Sequence, residues 1–241
     1  LTLQKALANS VNYITAYLMK DFGPGGPHSV VAMARKMGVV APIEEVPSIC
    51  LGTPEISVFE MVGANCTFAN KGIWIEPTTV TRIEDKNGKV LVDFSPKTEE
   101  AMSEEKAYVM LQLLKGVVTY GTGVRLRYKY KITQPGIAGK TGTTQNNSDG
   151  WFMGITPDLV SGCWTGGEDR AVHFDRTDLG QGANMALPIW AKYMQKVYAD
   201  KTIKISHGDF EKPAKKIDIE MDCKKYEKEE KEEDIDVMVF D

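Results

Sequence analysis

Apolar positions in the first twenty residues, LTLQKALANSVNYITAYLMK, recur at helical spacing until Asn9, Ser10 and Asn12 interrupt them. Such side chains compete for backbone hydrogen bonds and favour caps and turns, so the pattern predicts a broken helix. FGPGGPH at 22–28 is a second break, because stacked Gly and Pro cannot continue a helix. Pro27 suits the start of HSVVAMARKMGV, a short amphipathic helix that Gly38 can close. ISVFEMVGANCTFANKG predicts another helix, with Asn-Lys-Gly as its C-cap.

From 73 to 93 the period changes from helical to alternating: IWIEPTTVTRIED, a KNGK turn, then VLVDF. Asn87-Gly88 between β-branched runs signals a hairpin. A long helix follows in SEEKAYVMLQLLKGVVTYGTG, with apolar Tyr108, Leu111, Leu114, Val117 and Val118. Three strand-like pieces at 136–143, 150–155 and 159–165 are separated by the polar turns TQNNSDG and TPD, as antiparallel neighbours would be. NMALPIWAKYMQKVYAD makes a final amphipathic helix. Helices bracketing an antiparallel sheet give an α+β fold rather than a doubly wound parallel one. Residues 1–207 read as the folded domain, and 208–241, rich in Lys and Glu and poor in core formers, as a solvated, disordered tail.

Composition changes this picture little. A 241-residue chain with 42% hydrophobic residues suits an ordinary folded core, and its net charge of −4 argues against non-specific nucleic-acid binding. No run of eighteen apolar residues occurs, so no segment reads as a membrane span. The chain opens on a helical pattern without an initiator methionine, which is expected of a piece of a longer protein. Cys50, Cys66, Cys163 and Cys223 form no CxxC pair and His28, His173 and His207 are scattered, so no metal site and no cofactor are expected. Cys50 and Cys66 lie in apolar segments and read as buried thiols.

The chemistry concentrates in QPGIAGKTGTTQNNSDGWF, residues 134–152. Gly139-Lys140-Thr141 resembles the end of a phosphate-binding loop, but Gln134 stands where the first glycine belongs. A helix whose N-terminus faces the anion should also follow, whereas TGTTQNNSDGWFMGIT reads as strand, turn, strand. As a strand, the segment gives a positive charge at Lys140 and two hydroxyls, Thr141 and Thr143, that share a face. Gly142 between them admits a close neighbour. That arrangement suits a carboxylate, with a strand-edge N–H available to an oxyanion. Trp151 and Phe152 read as core or cleft wall, and His173 as a loop residue.

Ser10-Val11-Asn12 alone reads as a helix cap, but S-x-N followed by K-T-G belongs to a set with S-x-x-K used by penicillin-binding proteins and β-lactamases. With LQKALANSVN, ICLGTPEISVFEMVGANCTFANKG, AYVMLQLLKGVVTYGTG and GIAGKTGTTQNNSDGWFMGITPDLVSGCWTGGED, the chain resembles the transpeptidase domain of class A (bifunctional) penicillin-binding proteins from residue 1 to about residue 200. The resemblance implies a serine β-lactamase/penicillin-binding-protein-like fold lacking its N-terminal part. It also implies acyl transfer from D-Ala-D-Ala stem peptides in peptidoglycan cross-linking, with β-lactams as mimics. Ser10 would relay a proton toward the leaving group, and Asn12 would orient the nucleophile's lysine and the substrate amide. Lys140 would supply positive potential. Thr141 and Thr143 would hold the terminal carboxylate, and the Thr143 N–H would form half the oxyanion hole. The parent protein would sit at the extracytoplasmic face of the bacterial inner membrane, anchored by an upstream helix, with no membrane contact from this chain.

The resemblance breaks at the nucleophile. The single S-x-x-K match, Ser103-Glu104-Glu105-Lys106, follows S-x-N where the family's precedes it. It reads as a helix start, Ser103 as N-cap and the glutamates favouring the helix dipole. The nucleophile is therefore expected upstream of Leu1, and this chain alone is expected to be inactive. Two rivals stay open: a β-lactamase or DD-carboxypeptidase of the same fold, and a degenerate, non-catalytic peptidoglycan-binding or scaffold relative. An upstream S-x-x-K within the preceding ~60 residues would exclude the second, on a window set by typical domain size.

Overall fold

The computed structural model describes residues 1–222. The opening helix is split as expected into α1 (Leu3–Ala8) and α2 (Asn12–Asp21), followed by α3 (Gly26–Lys36). Gly38 closes α3 at φ +82°, and a Cβ there would lie 2.2 Å from the Trp74 ring, so both its conformation and its contact require glycine. α4 (Val58–Ala69) starts at a capping box in which Ser57 and Glu60 satisfy each other's backbone N–H groups. Asn70, Lys71 and Gly72 end it, the last two at positive φ.

The sheet that matters is antiparallel, β5 (Ala138–Thr143), β6 (Asp149–Ile155) and β7 (Val160–Gly166), in the order β5-β6-β7. Its two faces are covered by different helices. Phe152 and Ile137 face α8 (Ala186–Ala199), where Phe152 meets Trp190 edge-on at 5.1 Å between ring centroids. Ala138 and Ile155 face Leu111 and Leu114 of α5 (Glu104–Thr119). Because strand side chains alternate, Lys140 shares the face of Ala138, while Thr141 and Thr143 share the face of Ile137. The α5 residues Leu111, Leu114, Val117 and Val118 are all buried, as their spacing requires.

Between α4 and α5 the chain makes two small two-stranded sheets: β1 (Ile73–Ile75) with β4 (Thr98–Glu100), and β2 (Arg82–Glu84) with β3 (Val90–Asp93). The Asn87-Gly88 hairpin forms, with Gly88 at φ +81° and the Asp85 carboxylate accepting from the Asn87 and Lys89 N–H groups. β4, Thr-Glu-Glu, is exposed throughout and carries no apolar alternation, so pattern could not reveal it. The 3-10 turn Pro47–Leu51 and the single-turn helices α6 (Arg125–Tyr128) and α7 (Thr177–Gly180) escaped pattern because they are too short for an apolar spacing to repeat.

Two expectations shift. Cys50 and Cys66 are half-buried free thiols rather than buried ones; Cys223 lies outside the described residues. The chain also stays anchored beyond the boundary read at His207. Phe210 is buried against Leu111, Leu114, Ala138 and Ile155, the Asp209 carboxylate accepts from Lys115 Nζ at 2.6 Å, and Glu211 pairs with Lys71 at 2.8 Å. A buried aromatic side chain and two ion pairs hold the segment, so a solvated tail does not begin at 208. Residues 223–241, most of that expected tail, lie outside the described residues.

Candidate active site

Two segments 130 residues apart form the site. At the end of α1, the Ser10 N–H donates to Leu7 O at 3.2 Å and the Val11 N–H to Ala6 O at 3.0 Å. That pair of bonds closes a helix by turning the next residue left-handed, a position glycine usually takes. Ser10 occupies it at φ +52°. A side chain in that conformation costs about 1 kcal/mol relative to glycine.

The second segment is β5. Lys140 Nζ donates to Ser10 Oγ and to Thr141 O at 2.9 Å. Burial between α5 and the end of α1 lowers the Lys140 ammonium from 10.5 to about 8, since desolvation disfavours the charged form. Near neutral pH it remains a cation, poorly hydrated and hydrogen-bonded to a serine hydroxyl.

The opposite face of β5 presents the two threonines. Thr141 Oγ1 lies 2.7 Å from Thr122 Oγ1, in the turn after α5. Thr143 Oγ1 accepts from the Gly182 N–H at 3.0 Å, which leaves its own O–H free to donate. A Cβ on Gly182 would lie 2.3 Å from Gly142 O, so glycine lets that backbone press against the strand. Gly142 itself gives room to the Trp151 side chain, 2.9 Å from where its own Cβ would be. The Thr144 N–H donates to Asp149 O across the hairpin. Amides alternate in direction along an antiparallel strand, so the Thr143 N–H points away from β6, to the outer edge of the sheet.

The sequence reading thus placed Ser10, Lys140, Thr141, Gly142 and Thr143 within one corner. Asn12 opens α2 with an exposed side chain that makes no hydrogen bond to Lys140 or Thr141. Ser103 is an N-cap, its hydroxyl accepting from the Lys106 N–H at 3.5 Å. Phe152 is core, Trp151 is half-buried over Gly142, and His173 is exposed in a loop. Pattern reading missed Thr122 and Gly182. The available signal was the pair of Gly-x-Gly turns, GTG at 121–123 and GQG at 180–182.

Comparison with known proteins decides the family. The model for the penicillin-binding protein transpeptidase domain matches residues 1–161. The chain belongs to this transpeptidase family. The transpeptidase domain is 33% identical to penicillin-binding protein 1A of Aquifex aeolicus (strain VF5) over 226 residues, covering 92% of this chain and 29% of that protein. It is 32% identical to penicillin-binding protein 2D of Bacillus subtilis (strain 168) over 202 residues, covering 81% of this chain and 28% of that one. The domain therefore spans less than a third of the length of these curated relatives. Its fold is that of penicillin-binding protein 1A from Haemophilus influenzae, with a TM-score of 0.71 at 22% identity over 86% of this chain and 35% of that one. PonA1 of Mycobacterium tuberculosis superposes with a TM-score of 0.72 at 24% identity, over 90% and 61% of the two chains.

Proposed function

We propose that this chain is the part of a peptidoglycan-cross-linking serine DD-transpeptidase that anchors the substrate carboxylate and relays a proton, and that the acylated serine lies upstream of Leu1. The observation carrying the reading is the hydrogen bond between Lys140 Nζ and Ser10 Oγ, which joins the S-x-N and K-T-G segments across the fold.

In this reading the serine attacks the carbonyl of a D-Ala-D-Ala stem peptide, its proton passes through Ser10 to the departing D-alanine amine, and an acyl-enzyme remains. An amine of a neighbouring strand then attacks that ester, releasing the serine and completing the cross-link. Lys140 holds positive charge beside Ser10, which favours proton transfer and draws the substrate carboxylate. Thr143 donates its free O–H to that carboxylate, with Thr141 beside it. The outward Thr143 N–H supplies one donor to the oxyanion. Asn12, exposed at the start of α2, orients the lysine of S-x-x-K and the substrate amide. β-Lactams enter as mimics of the dipeptide; a PonA1 structure in complex with penicillin V exists for that protein. The parent protein works at the extracytoplasmic face of the inner membrane, where its substrate is, held by an anchor outside this chain.

Fluorescent penicillin tests the reading. The full-length parent takes up a boil-resistant label and this chain alone does not. An unlabelled parent, or a covalent label on this chain alone, overturns it.

A further inference from the structure

We propose that Thr122 is the positioning residue that sets the Ser10–Lys140 pair, by holding the end of α1 with its backbone and β5 with its side chain. The proposal rests on the transpeptidase reading and adds a residue that neither S-x-N nor K-T-G contains.

Three contacts carry it. The Thr122 N–H donates to Ala8 O at 3.0 Å, so a residue 114 positions away satisfies a carbonyl that the last turn of α1 leaves open. Gly121 makes this approach feasible, because a Cβ there would lie 2.1 Å from the same oxygen. The Thr122 hydroxyl pairs with Thr141 Oγ1 at 2.7 Å. Ala8 is two residues before Ser10, and Thr141 immediately follows Lys140.

The bonds close a circuit: Ala8 to Thr122, Thr122 to Thr141, along the backbone to Lys140, across to Ser10, and back through Asn9 to Ala8. Beyond the apolar contact of Leu7 with the Ala138 cluster, the direct hydrogen bond between the end of α1 and β5 among the described residues comes from the flexible Lys140 side chain. A four-carbon stem cannot by itself fix where a serine hydroxyl stands; the short threonine link can. The turn around Thr122 is itself tied to α5, since the Gly121 N–H donates to Gly116 O at 3.0 Å and the Gly123 N–H to Val117 O at 2.9 Å. The corner therefore inherits the rigidity of a helix buried along one side.

The test is the pH profile of acylation by fluorescent penicillin in the full-length protein, for wild type, Thr122→Val, Thr122→Ala and Thr122→Ser. Removing the hydroxyl slows acylation about tenfold, the size of one lost buried hydrogen bond. It also moves the alkaline limb, set by Lys140 at about 8, to higher pH as water reaches the ammonium. Thr122→Ser restores both rate and limb. A purely structural role would lower thermal stability without moving the limb. Wild-type rate and limb in both hydroxyl-free variants, or a serine variant as impaired as they are, overturn the inference. An unlabelled wild type overturns the transpeptidase reading and this inference together, whereas a labelled wild type with indifferent Thr122 variants overturns this one alone.

Discussion

Helix α5 has a serine–lysine pair near each end, and the two have nothing in common but composition. At its start Ser103 and Lys106 meet through the lysine's backbone N–H, and the exposed Lys106 ammonium takes no part. Past its end the turn at Thr122 ties together Ser10 and Lys140, whose side chains touch and whose ammonium is partly stripped of water. The first pair matches the spacing of a catalytic motif yet caps a helix. The second matches no local spacing and has the electrostatics of a reactive site. Chemistry follows desolvation and the partner faced, not separation along the chain.

That contrast can be broken by substitution at either end. Lys140→Met in the full-length protein should reduce penicillin acylation about 10³-fold, the scale of a lost electrostatic stabiliser in a dry site, while Lys106→Met leaves the rate unchanged. Equal effects in a labelling time course would erase the distinction. The same Lys140→Met should stabilise the fold at pH 7. Lowering a lysine from 10.5 to about 8 corresponds to roughly 3 kcal/mol against the charged form, less about 1 for each of the lost hydrogen bonds to Ser10 and Thr141 O, a net gain of about 1. Chemical denaturation would show it.

The sign of the pH dependence follows. Between about pH 8 and 10.5 the unfolded chain binds the Lys140 proton and the folded chain does not, so this residue makes stability rise with pH across that window. Acylation, which on the proposed reading uses the cation, should instead fall through pH 8. Rates constant up to pH 10 would mean that Lys140 is hydrated like any surface lysine.

Gly121→Ala should cost about 2–3 kcal/mol, since its Cβ would collide with Ala8 O where backbone cannot yield cheaply. Ser103→Ala at the other end should cost about 1 kcal/mol, the ordinary value of an N-cap, without slowing acylation by the folded protein. The smallest effect belongs to Lys106→Met, within about 0.5 kcal/mol. Thermal denaturation of the four variants would order them, and an acylation defect in Ser103→Ala would return the first pair to candidacy.

The long helices were legible because each buries one face, and the sheet because polar turns bound its strands. Leu111, Leu114, Val117 and Val118 repeat at helical spacing, and the hairpin turn TQNNSDG separates two strand-like pieces. Residues that meet only in three dimensions were not. Thr122 and Gly182 sit in turns whose sequence carries no period, and each reaches β5 through one hydrogen bond. Phe210 was hidden by its charged neighbours, although its buried ring helps anchor that stretch. Ser10 was legible in kind but not in cause: a polar residue after a helix suggests a cap, and only the backbone shows it standing where glycine would be easier.

The position of β5 at the end of its sheet has one more consequence. A strand edge with outward amides suits an extended peptide, which can lie alongside as a further strand, and by the same token it suits another copy of the protein. Such edges are kept from self-association when they are short and carry an inward charge. β5 has six residues and a half-buried lysine in its middle. A second chain pairing there would have to seal a poorly hydrated ammonium without a counter-ion, whereas a peptide ending in a carboxylate brings one. On the proposed reading, the lysine that receives the right strand is thus also the guard against the wrong one.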